Sequence, residues 1–216
     1  MPSRRQLIRA LAAAGLAPAL LRAALAAGNN PVKPGLRKLS GPVFLNGRPA
    51  AEGMSVEAGD EIVTGAHAEA IYVIGQDAFL QRADTRVQFP LAAAAFFRLV
   101  SGKLLSVFGR GDKTLFASTA TIGIRGTGCY LESSPEQTYF CLCYGEAEII
   151  PAAAPQAREL IQTTHHDHPV LIAADTQTTV PIARARVMNH GDAELKLLES
   201  LVGRRPPFSD GFNSYY

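Results

Sequence analysis

Thr119-Ala-Thr-Ile-Gly-Ile-Arg-Gly-Thr-Gly-Cys-Tyr-Leu-Glu132, Ser133-Ser-Pro-Glu-Gln137 and Thr138-Tyr-Phe-Cys-Leu-Cys-Tyr-Gly-Glu-Ala-Glu148 follow one another in the chain, and their reading decides the fold. Two runs rich in β-branched and aromatic residues flank a Ser-Ser-Pro-Glu cluster. Proline presets a turn dihedral and the serines hydrogen-bond to local backbone, so the segment reads as a β-hairpin. It also holds all three cysteines. Folding it about Ser134–Pro135 brings Cys129 opposite Cys141, and strand alternation puts Cys143 on the same face as Cys141. The expectation is three sulfurs on one side of one sheet.

Outward from this hairpin, Val43-Phe-Leu, Glu61-Ile-Val, Ala70-Ile-Tyr-Val-Ile, Ala78-Phe-Leu-Gln, Thr85-Arg-Val-Gln-Phe, Phe97-Arg-Leu-Val, Lys103-Leu-Leu-Ser-Val-Phe and Thr114-Leu-Phe-Ala-Ser-Thr read as short strands separated by turn residues. Ser101-Gly102 and Gly109-Arg-Gly-Asp112 read as turns; the Arg-Gly-Asp in the second is turn chemistry rather than an adhesion signal. Leu91-Ala-Ala-Ala-Ala-Phe-Phe97 is the one helix-prone interruption. Past Ile150 come a Pro/Ala connector and short strand-like runs, and the spacing then becomes helical. Leu195, Leu198, Leu201 and Val202 form a stripe with Leu197 at its edge, predicting a helix near 193–202 with Asp192 as N-cap and Gly203 as the stop. The fold class is therefore all-β: one domain of short antiparallel strands in a curled, solenoid-like or sandwich stack, with a short C-terminal helix.

The same stretches carry a resemblance. Ile122-Gly-Ile-Arg-Gly-Thr, then strand, turn, strand and Gly145-Glu-Ala-Glu-Ile, resembles the centre of a FecR-type domain. Gly41-Pro-Val-Phe-Leu-Asn-Gly-Arg-Pro-Ala, Gly53, Gly59-Asp60 and Thr64-Gly65 resemble that family's opening, in the same order. This implies a periplasmic module that binds or signals to another periplasmic or outer-membrane protein without catalysis. Signal transducers of the family also carry a cytoplasmic segment that meets a sigma factor; with about six residues ahead of the apolar run, that role is not expected here. Arg125, Gly126 and Thr127 are its structural motif, and two glycines at alternate positions in a strand mark a bend or bulge that Arg125 can tie across.

Four segments follow: an export signal at 1–26, a linker at 27–40, the FecR-like β domain at 41–150 and a C-terminal extension at 151–216. The signal has Arg4-Arg5 after Ser3, a Leu/Ala-rich run and Ala24-Leu25-Ala26, a twin-arginine-like pattern with a small-residue cleavage site. The alternative of a retained anchor is opposed by Arg9, Gly15, Pro18 and Arg22 within the run, so no stable membrane span is expected after signal removal. Losing four arginines and no acid turns the net charge of +2 into −2. A near-neutral mature chain without a basic face excludes nucleic acid as a partner.

Cys141 and Cys143, with His165, His166 and His168, form a candidate transition-metal site, because thiolate and imidazole suit Zn or Cu and Cys-x-Cys on a strand presents both sulfurs to one face. In an extended chain His166 pairs better with His168 than with His165. Two alternatives stand beside it: a Cys129–Cys141 disulfide, in keeping with an oxidising compartment, and inert buried thiols. Cys141 with His165, or Ser133 or Ser134 with a histidine and Asp167, could be drawn as catalytic sets. No nucleophile elbow or His-Glu-x-x-His accompanies them, so the chain is not expected to be an enzyme.

Overall fold

A computed structural model describes residues 31–91, 96–175 and 179–208. The expected signal, the end of the C-terminal tail and the centre of the helix-prone run at 92–95 lie outside these residues. The described chain forms β1 (Gly35–Ser40), β2 (Val43–Leu45), β3 (Arg48–Pro49), β4 (Glu61–Thr64), β5 (Glu69–Ile74), β6 (Asp77–Gln81), β7 (Thr85–Gln88), β8 (Phe97–Val107), β9 (Asp112–Phe116), β10 (Ala120–Ser133), β11 (Gln137–Pro151), a short 3-10 turn, β12 (Glu159–Thr163), β13 (Val170–Ala173), β14 (Ile182–Arg184) and one helix, α1 (Asp192–Leu201). The protein is all-β with a short C-terminal helix, as the alternating runs predict. No helix among the described residues is long and apolar enough to cross a membrane.

All fourteen strands belong to one sheet. Its main path runs β14-β13-β11-β10-β9-β8-β7-β4-β2-β3, and β6 joins the β5–β1 pair to β8. The sheet curls because β8 and β10 are long enough to change partners along their length. The first half of β10 pairs with β9 and its second half with β8, while β8 pairs with β7 near its start and with β6 near its end.

Three sequence expectations differ here. Residues 35–40, expected as linker, form β1 paired to β5. Ser101-Gly102, expected as a turn, lies inside the continuous β8. Gly102 is needed there because a Cβ would sit 2.5 Å from the Thr85 Cα and 2.3 Å from its hydroxyl oxygen. Gly109–Asp112 is a corner rather than a hairpin turn, since β8 and β9 share only a short parallel contact and both pair with β10.

Two cores result. Inside the curl, Phe79 stacks on Tyr72 at 4.9 Å between ring centres, and Phe89, Phe96, Phe97 and Phe108 surround it edge-on or stacked. On the other face, Leu195, Leu197, Leu198 and Leu201 of α1 cover Ile71, Val73, Leu80, Leu105, Val107 and Tyr130. Burying each leucine contributes about 1.5–3 kcal/mol before ordering costs, enough to dock a helix of ten residues that would not persist alone in water. The helix begins one residue earlier than expected. Gly191 rather than Asp192 is the N-cap, its N–H donating to Glu194 Oε2 at 3.2 Å.

Candidate metal centre

The register of the β10–β11 hairpin places the thiols. Ser133 pairs with Thr138 across the Ser134–Glu136 turn, so Tyr130 faces Cys141 and Cys129 faces Leu142. One residue of register exchanges the faces of a strand. Cys129 therefore lies in the core inside the curl, while Cys141 and Cys143 lie on the face covered by α1. This corrects both the expectation of three sulfurs on one side and the Cys129–Cys141 disulfide: all three cysteines are free and buried. Burial, with a further contribution from Cys141, pushes the Cys129 thiol pKa up, in keeping with inert packing.

The far side of β11 then decides which histidines arrive. Residues 137–140 pair with β13 and 145–149 with β12, leaving Cys141–Tyr144 opposite the loop that joins those two strands. The His165–His168 loop fills that gap. Asp167 folds it by accepting from the Thr164 and His165 N–H groups, and His166 donates its N–H to the Cys143 carbonyl at 3.0 Å. The turn puts His166 in the left-handed region (φ 51°) and aims its ring at the thiols, with Nδ1 3.5 Å from Cys141 Sγ.

The fourth member was not among the sequence candidates. His190 lies in the segment between β14 and α1, stacked on Tyr130 with ring centres 4.5 Å apart, and its Nε2 is 3.1 Å from His166 Nδ1. Cys141, Cys143, His166 and His190 are 0, 0, 6 and 7% exposed, and their four donor atoms lie within 4.8 Å of one another. His165 and His168 are not members. His168 Nε2 meets Glu159 Oε1 at 2.8 Å, and His165 Nε2 meets Asp192 Oδ1 at 2.8 Å. The His166–His168 pairing is thereby corrected, because the left-handed turn at His166 breaks the strand alternation on which it rested.

The outer partners fix the tautomers. The Met188 carbonyl, 2.8 Å from His190 Nδ1, can only accept a hydrogen bond, so Nδ1 carries the proton and Nε2 offers a lone pair. Asp192 Oδ1, 3.3 Å from His166 Nε2, places the proton there and leaves the Nδ1 lone pair facing the thiols. Carboxylate–histidine and carbonyl–histidine pairs of this kind orient metal ligands. Asp192 also opens α1, where the helix dipole favours its charge. Burial raises its pKa, but the hydrogen bonds from His166 and His165 outweigh that and hold the carboxyl below the usual range.

Two imidazole lone pairs this close repel unless a cation sits between them. Without a metal the cation is a proton. Burial disfavours charge on His166, yet its hydrogen bonds to Asp192 and Cys141 hold its pKa up at about 9. The neighbouring Cys143 thiol and both histidines favour the Cys141 thiolate against the opposing effect of burial, while desolvation keeps Cys143 protonated, its S–H directed at the Cys141 carbonyl. A tetrahedral zinc ion with ordinary bond lengths needs edges of about 3.3 Å between two nitrogens and about 3.5 Å between nitrogen and sulfur. The observed 3.1 and 3.5 Å lie close to those two edges, and the remaining donor pairs lie within 4.8 Å.

Cys141, His166 and Asp192 also line up in the order of a nucleophile, base and orienting carboxylate. A nucleophile must reach substrate, and Cys141 has no exposed surface. Ser133 donates to Ser118 Oγ at 2.9 Å and Ser134 belongs to the hairpin turn, where its hydroxyl meets the Gln137 carbonyl, so no histidine serves either serine.

The Arg125-Gly126-Thr127 motif sits apart from this centre, at a bulge where the β10–β11 register shifts between Arg125 and Cys129. Arg125 reaches Asp112 across the bend at 2.7 Å, with both side chains largely exposed. Thr127 is fully buried, and its carbonyl accepts from the Phe108 N–H.

No family model and no curated protein matches the chain. Two crystal structures of a "putative anti-sigma factor" from Parabacteroides distasonis ATCC 8503 match part of it, each with a TM-score of 0.47 and 11% sequence identity. The match covers 58% of this chain and 59% of that one, so the likeness spans little more than half of either.

Proposed function

We propose that this protein is an exported, non-enzymatic β module of FecR type that holds one structural zinc-class ion between Cys141, Cys143, His166 and His190. The observation that carries the metal reading is the 3.1 Å approach of His166 Nδ1 and His190 Nε2, each with its other nitrogen committed to an acceptor, beside two buried sulfurs. Four protein donors of mixed N and S type suit Zn over the alternative Cu. With no open coordination position and no exposed ligand, the ion's role is to hold segments together. A partner-binding role in the periplasm, toward another periplasmic or outer-membrane protein, is supported by the ordered FecR-like motifs over 41–150 and the twin-arginine-like first 26 residues.

Cobalt(II) substitution tests the ion site. Metal-free protein titrated with cobalt should develop the intense visible bands of a tetrahedral ion and a near-ultraviolet thiolate-to-metal band, saturating at one equivalent. A weak octahedral spectrum, or none, would reject the site.

A further inference from the structure

We infer that residues 185–191 form a clasp over the ion, and that the ion enters and leaves by opening this clasp while the hairpin stays folded. The inference rests on the metal reading above and concerns how that site is controlled.

All four ligands are buried, so exchange requires some segment to move. Three of the ligands are costly to move. Cys141 and Cys143 belong to β11, which is paired to β10 along nearly its whole length. His166 is bound to β11 by its own backbone, and Thr163 donates to the Leu142 carbonyl beside it. His190 is different, because 185–190 lies outside every strand and helix and only the Gly191 cap joins the segment to α1.

Between its ends, single side-chain bonds hold this segment. Tyr139 Oη donates to the Arg186 carbonyl at 3.0 Å, Arg82 Nη2 to the Asn189 carbonyl at 3.0 Å, and Asn189 Nδ2 to Glu132 Oε1 at 2.6 Å. Backbone bonds hold its two ends: the Ala185 N–H donates to the Pro169 carbonyl at one, and the Gly191 carbonyl accepts from the Glu194 and Leu195 N–H groups at the other. Met188 is 38% exposed, and Asn189 turns the chain with a left-handed φ of 61°. Opening the clasp thus breaks a few side-chain bonds and the His190–Tyr130 stack, whereas exposing the cysteines would break a strand ladder. Directly after the clasp comes Asp192, the outer partner of His166 and first residue of α1, so clasp closure and ion retention share one hydrogen bond. Asn189 and Tyr139 act as positioning residues for His190.

The test follows zinc transfer from the loaded full chain to an excess of a chromogenic chelator, for wild type, Asn189→Gly, Tyr139→Phe and the remote control Arg125→Gln. Glycine keeps the left-handed turn at 189, and phenylalanine keeps the packing at 139. Each clasp variant should release zinc about three- to tenfold faster, the ratio set by one lost hydrogen bond, while the control releases at the wild-type rate. Their cobalt spectra should match wild type, showing an intact ligand set, and zinc should slow amide exchange in 186–191 more than in β11. Release at the wild-type rate in both clasp variants would overturn the clasp and leave the ion site standing. Failure of the wild-type chain to bind zinc or cobalt at all would overturn the site and the clasp with it.

Discussion

Gly128 shows how tightly the hairpin is specified at the scale of one residue. A Cβ there would lie 2.5 Å from the Tyr144 ring, and Tyr144 in turn donates its hydroxyl to the buried Glu199 of α1. Gly128→Ala must push the ring and that bond aside, so it should cost about 1–3 kcal/mol in urea unfolding, the range for overpacking. Sequence reasoning found the bulge from its two glycines but not the ring that requires the second one. It found Cys141, Cys143 and His166 because they cluster, and it missed His190, which lies 24 residues beyond His166 in an Asn-His-Gly-Asp turn that reads as punctuation. The signal available was the proximity of His190 to the helix start. What brings it to the thiols is tertiary, the docking of α1 onto the face that carries them.

Elements were legible where their period was strong. The leucine stripe placed α1 to within one residue at each end, and the hairpin turn fell at Ser134–Glu136 as its serines and proline suggested. Register was not legible, since a single residue decides whether Cys129 faces Cys141 or Leu142, and nothing local distinguishes the two. Likewise Ser101-Gly102 carries turn residues inside a strand because Thr85 needs the space. At this scale α1 is the element to test. Leu198 is fully buried against the sheet, and its position on the stripe makes Leu198→Ala a cavity-forming change. It should lower stability by about 2–5 kcal/mol by chemical denaturation, against little change for the partly exposed Lys196→Ala.

The whole molecule is a single sheet curled around one core, with a second core closed only by the C-terminal segment. That segment is fastened by apolar contacts, by partly buried ion pairs such as Arg82–Glu194 and Arg204–Glu199, and in this account by an ion that joins His190 to β11 and to the β12–β13 loop. The Arg-Gly-Thr motif shapes the hairpin on which the thiols stand and does not touch the ion. Composition and charge could set the class of molecule but not this closure, which depends on residues from four separate stretches.

Elemental analysis of the purified full chain tests the central claim most directly, with Cys141→Ser/Cys143→Ser, His190→Ala and Cys129→Ser measured beside it. The account predicts about one zinc per wild-type chain, loss of it in the double cysteine and His190 variants, and retention in Cys129→Ser because that thiol faces the other core. Wild-type protein without stoichiometric metal, or metal lost with Cys129 and kept without His190, would contradict it.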